Sequence, residues 1–338
     1  MRLNVGVVGA TGAVGEAFLK LMLERNFPVN ELRLFASEKS RGQLIKYNNK
    51  DFYCETLSDQ CFKGLDLVFF SSGDDISKKW APHAVECGAF AIDNSAAFRM
   101  SPEHKLVVPE INAAQLPDSD GPKEIIANPN CSTIQLVIAL APLANEFGIS
   151  RVHVATYQSV SGAGKEGRDE LLEQTQALIA NPAAKVDNKI FAHPIAFNSI
   201  PHIGSFNDMG FCSEEMKIMH ETRKILNLPH LLVSAFTVRV PTLNGHGEAV
   251  WVTLEKIVDL EKVQQSLKNF NGLNWVEQNP AENYPTVRQA DGQQPVFVGR
   301  VHKDLFDPYT MLMWVVADNL YKGAALNGIQ IAEALYKL

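Results

Sequence analysis

The chain has 338 residues, 46% of them hydrophobic, enough to bury one large or two moderate cores, and the length favours two domains. A net charge of −7 without any dense Lys/Arg run argues against nucleic acid or an anionic membrane as partner. Five scattered cysteines make poor material for a disulfide framework or a thiolate zinc cluster. No apolar run has spanning length or the layout of a signal peptide, so a cytoplasmic protein is expected.

Residues 3–8, LNVGVV, read as a strand that enters a glycine turn and then a helix over 13–25. In GVVGATGAVG, Gly9 and Gly12 permit the backbone to approach a pyrophosphate, and Gly15 permits close packing of helix on strand. The context, first strand to first helix, is the one a dinucleotide site requires, and GxxxxGK[ST] is absent. A second strand is predicted at 32–36 and runs into Ser37-Glu38-Lys39-Ser40-Arg41-Gly42. There Ser37, Lys39, Ser40 and Arg41 suit a ribose 2′-phosphate, which favours NADP over NAD, although Glu38 stands among them.

A strand at 65–71, a helix at 75–87 and a strand at 89–92 continue the alternation. Their unbroken apolar runs suit a parallel sheet covered on both faces, hence a doubly wound nucleotide-binding domain. The stretch IANPNCSTIQLVIALAPL, 126–143, then sets Cys131 behind an Asn-Pro-Asn turn and at or just before a helix over 132–147. Unpaired backbone donors and the helix dipole at such a position favour thiolate over thiol, the form in which cysteine is a nucleophile. Joined to a dinucleotide fold, a thiolate can turn an aldehyde into an adduct able to release hydride.

Beyond it come a strand at 150–160, helices at 165–180, 213–226 and 260–271, and strands at 231–240, 248–258, 295–301 and 311–318. These do not alternate regularly, so a mixed or mostly antiparallel sheet with packed helices is predicted. The expected division is 1–130 for cofactor, completed by a C-terminal helix at 322–336, and 131–321 for catalysis and dimerisation.

A thiolate mechanism needs a proton partner. His246, in a glycine-flanked turn between two strands, is one candidate, with His193, His202 and His220 competing; no histidine spacing supports a metal. Arg99, Lys217 and Arg239 are candidate anion contacts. Arg239 shares a strand face with Thr237, where a buried guanidinium calls for a carboxylate. Glu214 and Lys217 lie three apart on a predicted helix, equally compatible with a surface pair.

Taken together, GVVGATGAVG (6–15), SAAFR (95–99), NPNCSTIQ (128–135), YQSVSGAG (157–164), EEMK (214–217), VRVPTLNGHGE (238–248) and WVVADNLYKGAA (314–325) resemble the aspartate-semialdehyde dehydrogenase family. The resemblance implies an α/β chain: a Rossmann-type domain followed by an α+β catalytic domain like that of glyceraldehyde-3-phosphate dehydrogenase. It implies reduction of L-aspartyl 4-phosphate by NADPH to L-aspartate 4-semialdehyde and phosphate, through a cysteine thioester, in a homodimer. That reaction serves lysine, threonine, methionine, isoleucine and diaminopimelate synthesis. Another acyl-phosphate reductase, such as one acting on N-acetyl-glutamyl phosphate, and a non-catalytic NADP-binding regulator are the alternatives.

By the same resemblance Cys131 is the nucleophile, His246 the acid/base, and Gln158 positions the acyl intermediate. Arg239 and Glu214 hold the substrate carboxylate and amine, while Arg99, Asn130 and Lys217 hold phosphate. Cofactor contacts come from Gly9, Thr11, Gly12, Ala13, Val14, Ser37, Lys39, Ser40, Arg41, Ser71, Ser72, Gly73, Ser161, Gly162, Ala163, Gly164 and Asn319. Two stretches depart from the usual pattern: SEKSRG stands where many bacterial members read nearer SARSAG, and GHGE where GHSE is usual.

Overall fold

The computed structural model describes residues 1–277 and 283–338. The chain divides into two compact units, Met1–Asn130 together with Ala324–Leu338, and Cys131–Gly323. Strand and helix counts below are of the described residues.

The first unit begins with β1 (Leu3–Val8), α1 (Ala13–Glu24) and β2 (Val29–Phe35), followed by a hairpin of β3 (Leu44–Tyr47) and β4 (Lys50–Tyr53). It continues through β5 (Leu67–Phe70), α2 (Asp74–Glu86), β6 (Phe90–Asp93), β7 (Lys105–Leu106), α3 (Pro109–Asn112) and β8 (Ile125–Ala127). Six strands form one parallel sheet in the order β2-β1-β5-β6-β8-β7. Val5, Val7, Leu67, Val68, Phe69 and Phe70 are all fully buried, as strands covered on both faces require. The chain leaves β1 toward β2 on one side and returns to β5 on the other. The carboxyl ends of β1 and β5 therefore form the switch point of the sheet, the usual ligand crevice of this architecture.

The second unit contains α4 (Cys131–Phe147), β9 (Ile149–Gln158), α5 (Gly164–Ala180), α6 (Ser213–Ile225), β10 (Leu232–Arg239) and β11 (His246–Leu254). After these come α7 (Leu260–Asn269), β12 (Leu273–Trp275), α8 (Val287–Ala290), β13 (Val296–Lys303) and β14 (Thr310–Ala317). A six-stranded mixed sheet runs β10-β9-β11-β14-β13-β12, parallel at β10/β9 and β12/β13 and antiparallel elsewhere. Helix α4 is buried almost all round, Ile134 to Leu143 included, and packs on β9, β11 and β14.

A π-helical turn, Tyr321–Ala325, precedes α9 (Leu326–Tyr336), so the last regular helix starts later than the predicted 322. Within the first unit α9 lies against α1 and β6. Arg25 clamps Glu333 through two bonds of 2.8 and 2.6 Å, and Gly328 leaves room for the Phe18 ring, which an added Cβ would meet at 2.9 Å.

Among the described residues no helix is long and apolar enough to cross a membrane, and no group of three or more His, Cys, Asp or Glu is arranged to hold a metal.

Candidate active site

The second unit gathers its polar side chains by strand register. Arg239, last residue of β10, stands opposite Gln158, last of β9, and Gln158 stands opposite His246, first of β11. Directly paired residues project to the same face, so the three side chains form one row at the strand ends. All are buried. A row of buried polar groups with no apolar purpose is a site, not a core.

The sequence reading placed His246 in a glycine-flanked turn between two strands; it is the first residue of β11 instead, and fully buried. Pairing to both Gln158 and Ala317 draws the residue into the sheet, which single-strand alternation could not reveal. Its Nδ1 accepts the backbone N–H of Ser159 at 3.1 Å, with Ser159 Oγ at 3.2 Å. An Nδ1 that accepts leaves the proton of the neutral ring on Nε2. That Nε2 is buried and has no partner, a donor awaiting an acceptor. Burial first, and then the positive charge of Arg239, pull the imidazole pKa down to about 3, so the ring is neutral at physiological pH.

Arg239 Nη1 donates to the Ser159 carbonyl at 2.7 Å, and the guanidinium lies over the Phe191 ring, 5.8 Å from its centroid. Burial lowers its pKa, while Glu214 and Cys131 both act electrostatically to hold its charge. Glu214, buried on α6, accepts from Gln158 Nε2 at 3.3 Å and from Lys217 Nζ at 3.3 Å. The Glu214–Lys217 contact is therefore not the surface pair its spacing also allowed, because Glu214 is buried and also bonded to Gln158 of the row.

Cys131 opens α4, at the positive end of its dipole. It is partly exposed, and Gly323 closes behind it, where an added Cβ would stand 3.0 Å from the cysteine Cβ. Gly162 lies over the row from the other side: a Cβ there would meet Arg239 Nη1 at 2.8 Å and come within 3.5 Å of His246 Nε2. Any side chain at Gly162 would occupy the space the donors face.

Two residues that the sequence reading did not single out hold this arrangement. Ser159 fixes the histidine tautomer through its backbone, and Gln135 Nε2 donates to the His246 carbonyl at 3.4 Å. Glu248, two residues along β11, is fully buried. Gln135 lies four residues from Cys131 on the same helix face, a spacing that could have flagged it. Asn319 and Ser161 form a neighbouring knot. Asn319 Oδ1 accepts from Gly245 N at 2.9 Å, Ser159 Oγ at 3.1 Å and Ser161 Oγ at 3.2 Å. Ala163 and Gly164 lead into α5, with Gly164 at φ +86°.

In the first unit, Val8 pairs with Phe70, which sets the glycine turn beside Ser71, Ser72 and Gly73 at the switch point. Ser71 Oγ donates to the Val8 carbonyl at 2.8 Å. Gly9 has φ +83°, and a Cβ on it would meet the Ser71 carbonyl oxygen at 2.9 Å. Gly12 and Gly73 stand at the starts of α1 and α2 without any capping side chain, so backbone donors there remain for a ligand. Ser72 Oγ is buried and unpartnered, and Thr11, Ala13 and Val14 line the same helix start, partly buried.

Ser37, Lys39, Ser40 and Arg41 surround a short helical turn beyond β2, with Arg41 4.0 Å from Glu38. These residues fit a phosphorylated dinucleotide: a cradle only glycine can form, two uncapped helix starts, and exposed cations past the second strand. Arg99 is buried and donates to the carbonyls of Asn128 and Asn94 at 2.9 and 2.8 Å, and Asn130, also buried, closes the unit before Cys131.

Two family models match the chain: "Semialdehyde dehydrogenase, NAD binding domain" over residues 4–119 and "Semialdehyde dehydrogenase, dimerisation domain" over 140–322. Aspartate-semialdehyde dehydrogenase of Aquifex aeolicus is 47% identical over 100% of this chain and 99% of its own. The Bacillus subtilis enzyme of that name is 43% identical over 99% and 98%. Among solved structures, aspartate semialdehyde dehydrogenase II of Vibrio cholerae complexed with ASA superposes with a TM-score of 0.95 at 43% identity, covering 100% of this chain and 99% of that one. The Candida albicans enzyme with NADP gives 0.76 at 25% identity, covering 99% of each. With a buried histidine–arginine–glutamine row, a helix-start cysteine and a glycine cradle in place, the chain belongs to the aspartate-semialdehyde dehydrogenase family.

Proposed function

We propose that Cys131 and the row Arg239, Gln158 and His246 carry the family's reaction. The chain is an NADP-dependent enzyme that reduces L-aspartyl 4-phosphate to L-aspartate 4-semialdehyde with release of phosphate, reversibly, in lysine, threonine, methionine and diaminopimelate synthesis. The single observation that supports the assignment of the centre is the register row, because it collects a cation, an amide and an unpartnered imidazole N–H beside one cysteine.

In the biosynthetic direction the Cys131 thiolate attacks the acyl carbon, the C–S bond forms, and the acyl–phosphate bond breaks with its electrons on the departing phosphate. By the family resemblance Arg99, Asn130 and Lys217 are the phosphate residues, and Gln158 positions the acyl group. Arg239 takes the substrate carboxylate in a bidentate pair, and Glu214 takes the amine. NADP in its reduced form, when bound, supplies the hydride that brings the thioester to the aldehyde level; the glycine turn, Ser37 to Arg41, Ser71 to Gly73 and Ser161 to Gly164, with Asn319, would hold it. His246 Nε2–H donates to the oxygen on the acyl carbon as that oxygen gains charge. Collapse of the thiohemiacetal breaks the C–S bond, returns the electrons to Cys131 sulfur and frees the semialdehyde.

The resting tautomer refines the role expected of His246. With its proton on Nε2, the ring begins as donor to the substrate oxygen, and the helix start and Arg239 are left to favour the thiolate.

The enzyme is a homodimer. The alternate face of the second sheet supports this: Tyr157, Leu232 and Phe236 are 42%, 50% and 57% exposed, a run of large apolar groups in want of cover. We place the protein in the cytoplasm, where reduced thiols and NADPH are maintained. The test is an assay of the purified protein with aspartate semialdehyde and phosphate, run with NADP beside NAD. Phosphate-dependent reduction that prefers NADP is expected; activity only with an N-acetylated acyl phosphate would overturn the substrate.

A further inference from the structure

Glu248 has no part in the chemistry above, yet it is fully buried on the same face of β11 as His246, between Thr156 of β9 and Val315 of β14. Neither carboxyl oxygen has a hydrogen bond of good geometry, and neither does Oε1 of Gln135, the amide beside it. A buried carboxyl with both oxygens unmet is uncommon enough to require a reason.

The count of donors supplies one. Gln135 spends an N–H on the His246 carbonyl at 3.4 Å, which turns its Oε1 toward a group that must donate. An ionised Glu248 cannot donate. The second N–H of the amide can donate to a carboxylate and favours that form, but it would leave Gln135 Oε1 buried with no donor. A protonated Glu248 would offer Gln135 Oε1 the O–H it lacks while the amide keeps its bond to His246.

We propose that Glu248 is a positioning residue for the Cys131–His246 pair, its carboxylic acid O–H fixing the Gln135 amide that ties the first turns of the cysteine helix to the histidine strand. Gln135 and Cys131 are four residues apart on α4, so the seating of one sets the reach of the other. Burial raises the Glu248 pKa well above the carboxylate range and outweighs the lowering effect of the Gln135 amide, and the Glu214 carboxylate on α6 raises it further. The inference rests on the reading of Cys131 and His246 as the reacting pair.

The test compares E248Q, which keeps shape and donor, with E248L, which keeps bulk and loses the donor. Three readouts are taken on the purified enzyme: kcat, the pH profile of Cys131 alkylation by iodoacetamide, and the infrared carbonyl band of a protonated carboxylic acid. Wild type should show that band at neutral pH and E248Q should lack it. E248Q should retain kcat within about threefold and keep the wild-type alkylation profile, whereas E248L should lose roughly tenfold or more in kcat and shift the profile.

A loss beyond about tenfold in E248Q would mean that an ionised carboxylate is needed, and would overturn the proposal. So would an E248L enzyme with unchanged kcat and profile, or a wild-type spectrum without the acid band. Alkylation and spectrum need no turnover, so a protein inactive toward aspartate semialdehyde would refute the assigned reaction and leave this inference to be judged on those two readouts. Should E248L fail to fold, E248Q and the spectrum decide.

Discussion

Burial, and then the positive charge of Arg239, penalise protonation of His246, which is why the imidazole titrates at about 3 instead of its ordinary value. The unfolded chain binds a proton there that the folded chain refuses. Stability from this residue is therefore present above about pH 6.5 and is lost as pH falls through the window from about 6.5 to about 3. His246→Asn should remove that dependence: the Tm difference, variant minus wild type, should rise steadily as pH is lowered from about 7 to about 4.5, and a pH-independent difference would contradict the buried neutral ring. Arg239→Lys keeps charge but loses the fork. The expected loss in kcat/KM for semialdehyde is roughly tenfold to a hundredfold, and a value equal to that of an exposed control such as Lys337→Arg would rule out a direct carboxylate contact.

At the scale of elements, what was legible in the sequence depended on how local its cause was. The β1–turn–α1 unit was readable because an apolar run, a glycine turn and a helix start are all short-range signals. The hairpin of β3 and β4 went unread: its turn uses Asn48 and Asn49, at φ 48° and 59°, a weaker signal than Asn-Gly. The strands β7 and β8, two and three residues long, are set by pairing with neighbours and leave little periodicity to find. Glu248 was in principle visible, since it shares parity with Val250, Val252 and Leu254, but its full burial depends on the packing of α4 against β11, which no local pattern shows. The loop after β2 carries a separable prediction. Lys39→Ala with Arg41→Ala should raise the KM for NADP by about tenfold while changing that for NAD less than about twofold, because only the 2′-phosphate loses its partners. Equal effects on both cofactors would exclude this loop from the choice.

At the scale of the molecule, the two compact units divide the work as the matched domain models divide the chain, with the glycine cradle in one and the polar row in the other. Cys131 is the first residue of the second unit and Asn130 the last of the first segment, so the proposed nucleophile stands where one unit's chain becomes the other's. The order of motifs gave the family away; the hydrogen bond that fixes the histidine tautomer needed coordinates. Everything in the account depends on a covalent bond at Cys131. Semialdehyde and NADP mixed with enzyme in the absence of phosphate should give a burst of NADPH equal to the number of active sites, then stall, leaving a thioester that peptide mass analysis maps to Cys131. Addition of phosphate should release it, and Cys131→Ala should show neither burst nor adduct. A burst of the same size from that variant, or an adduct at another residue, would contradict the central claim.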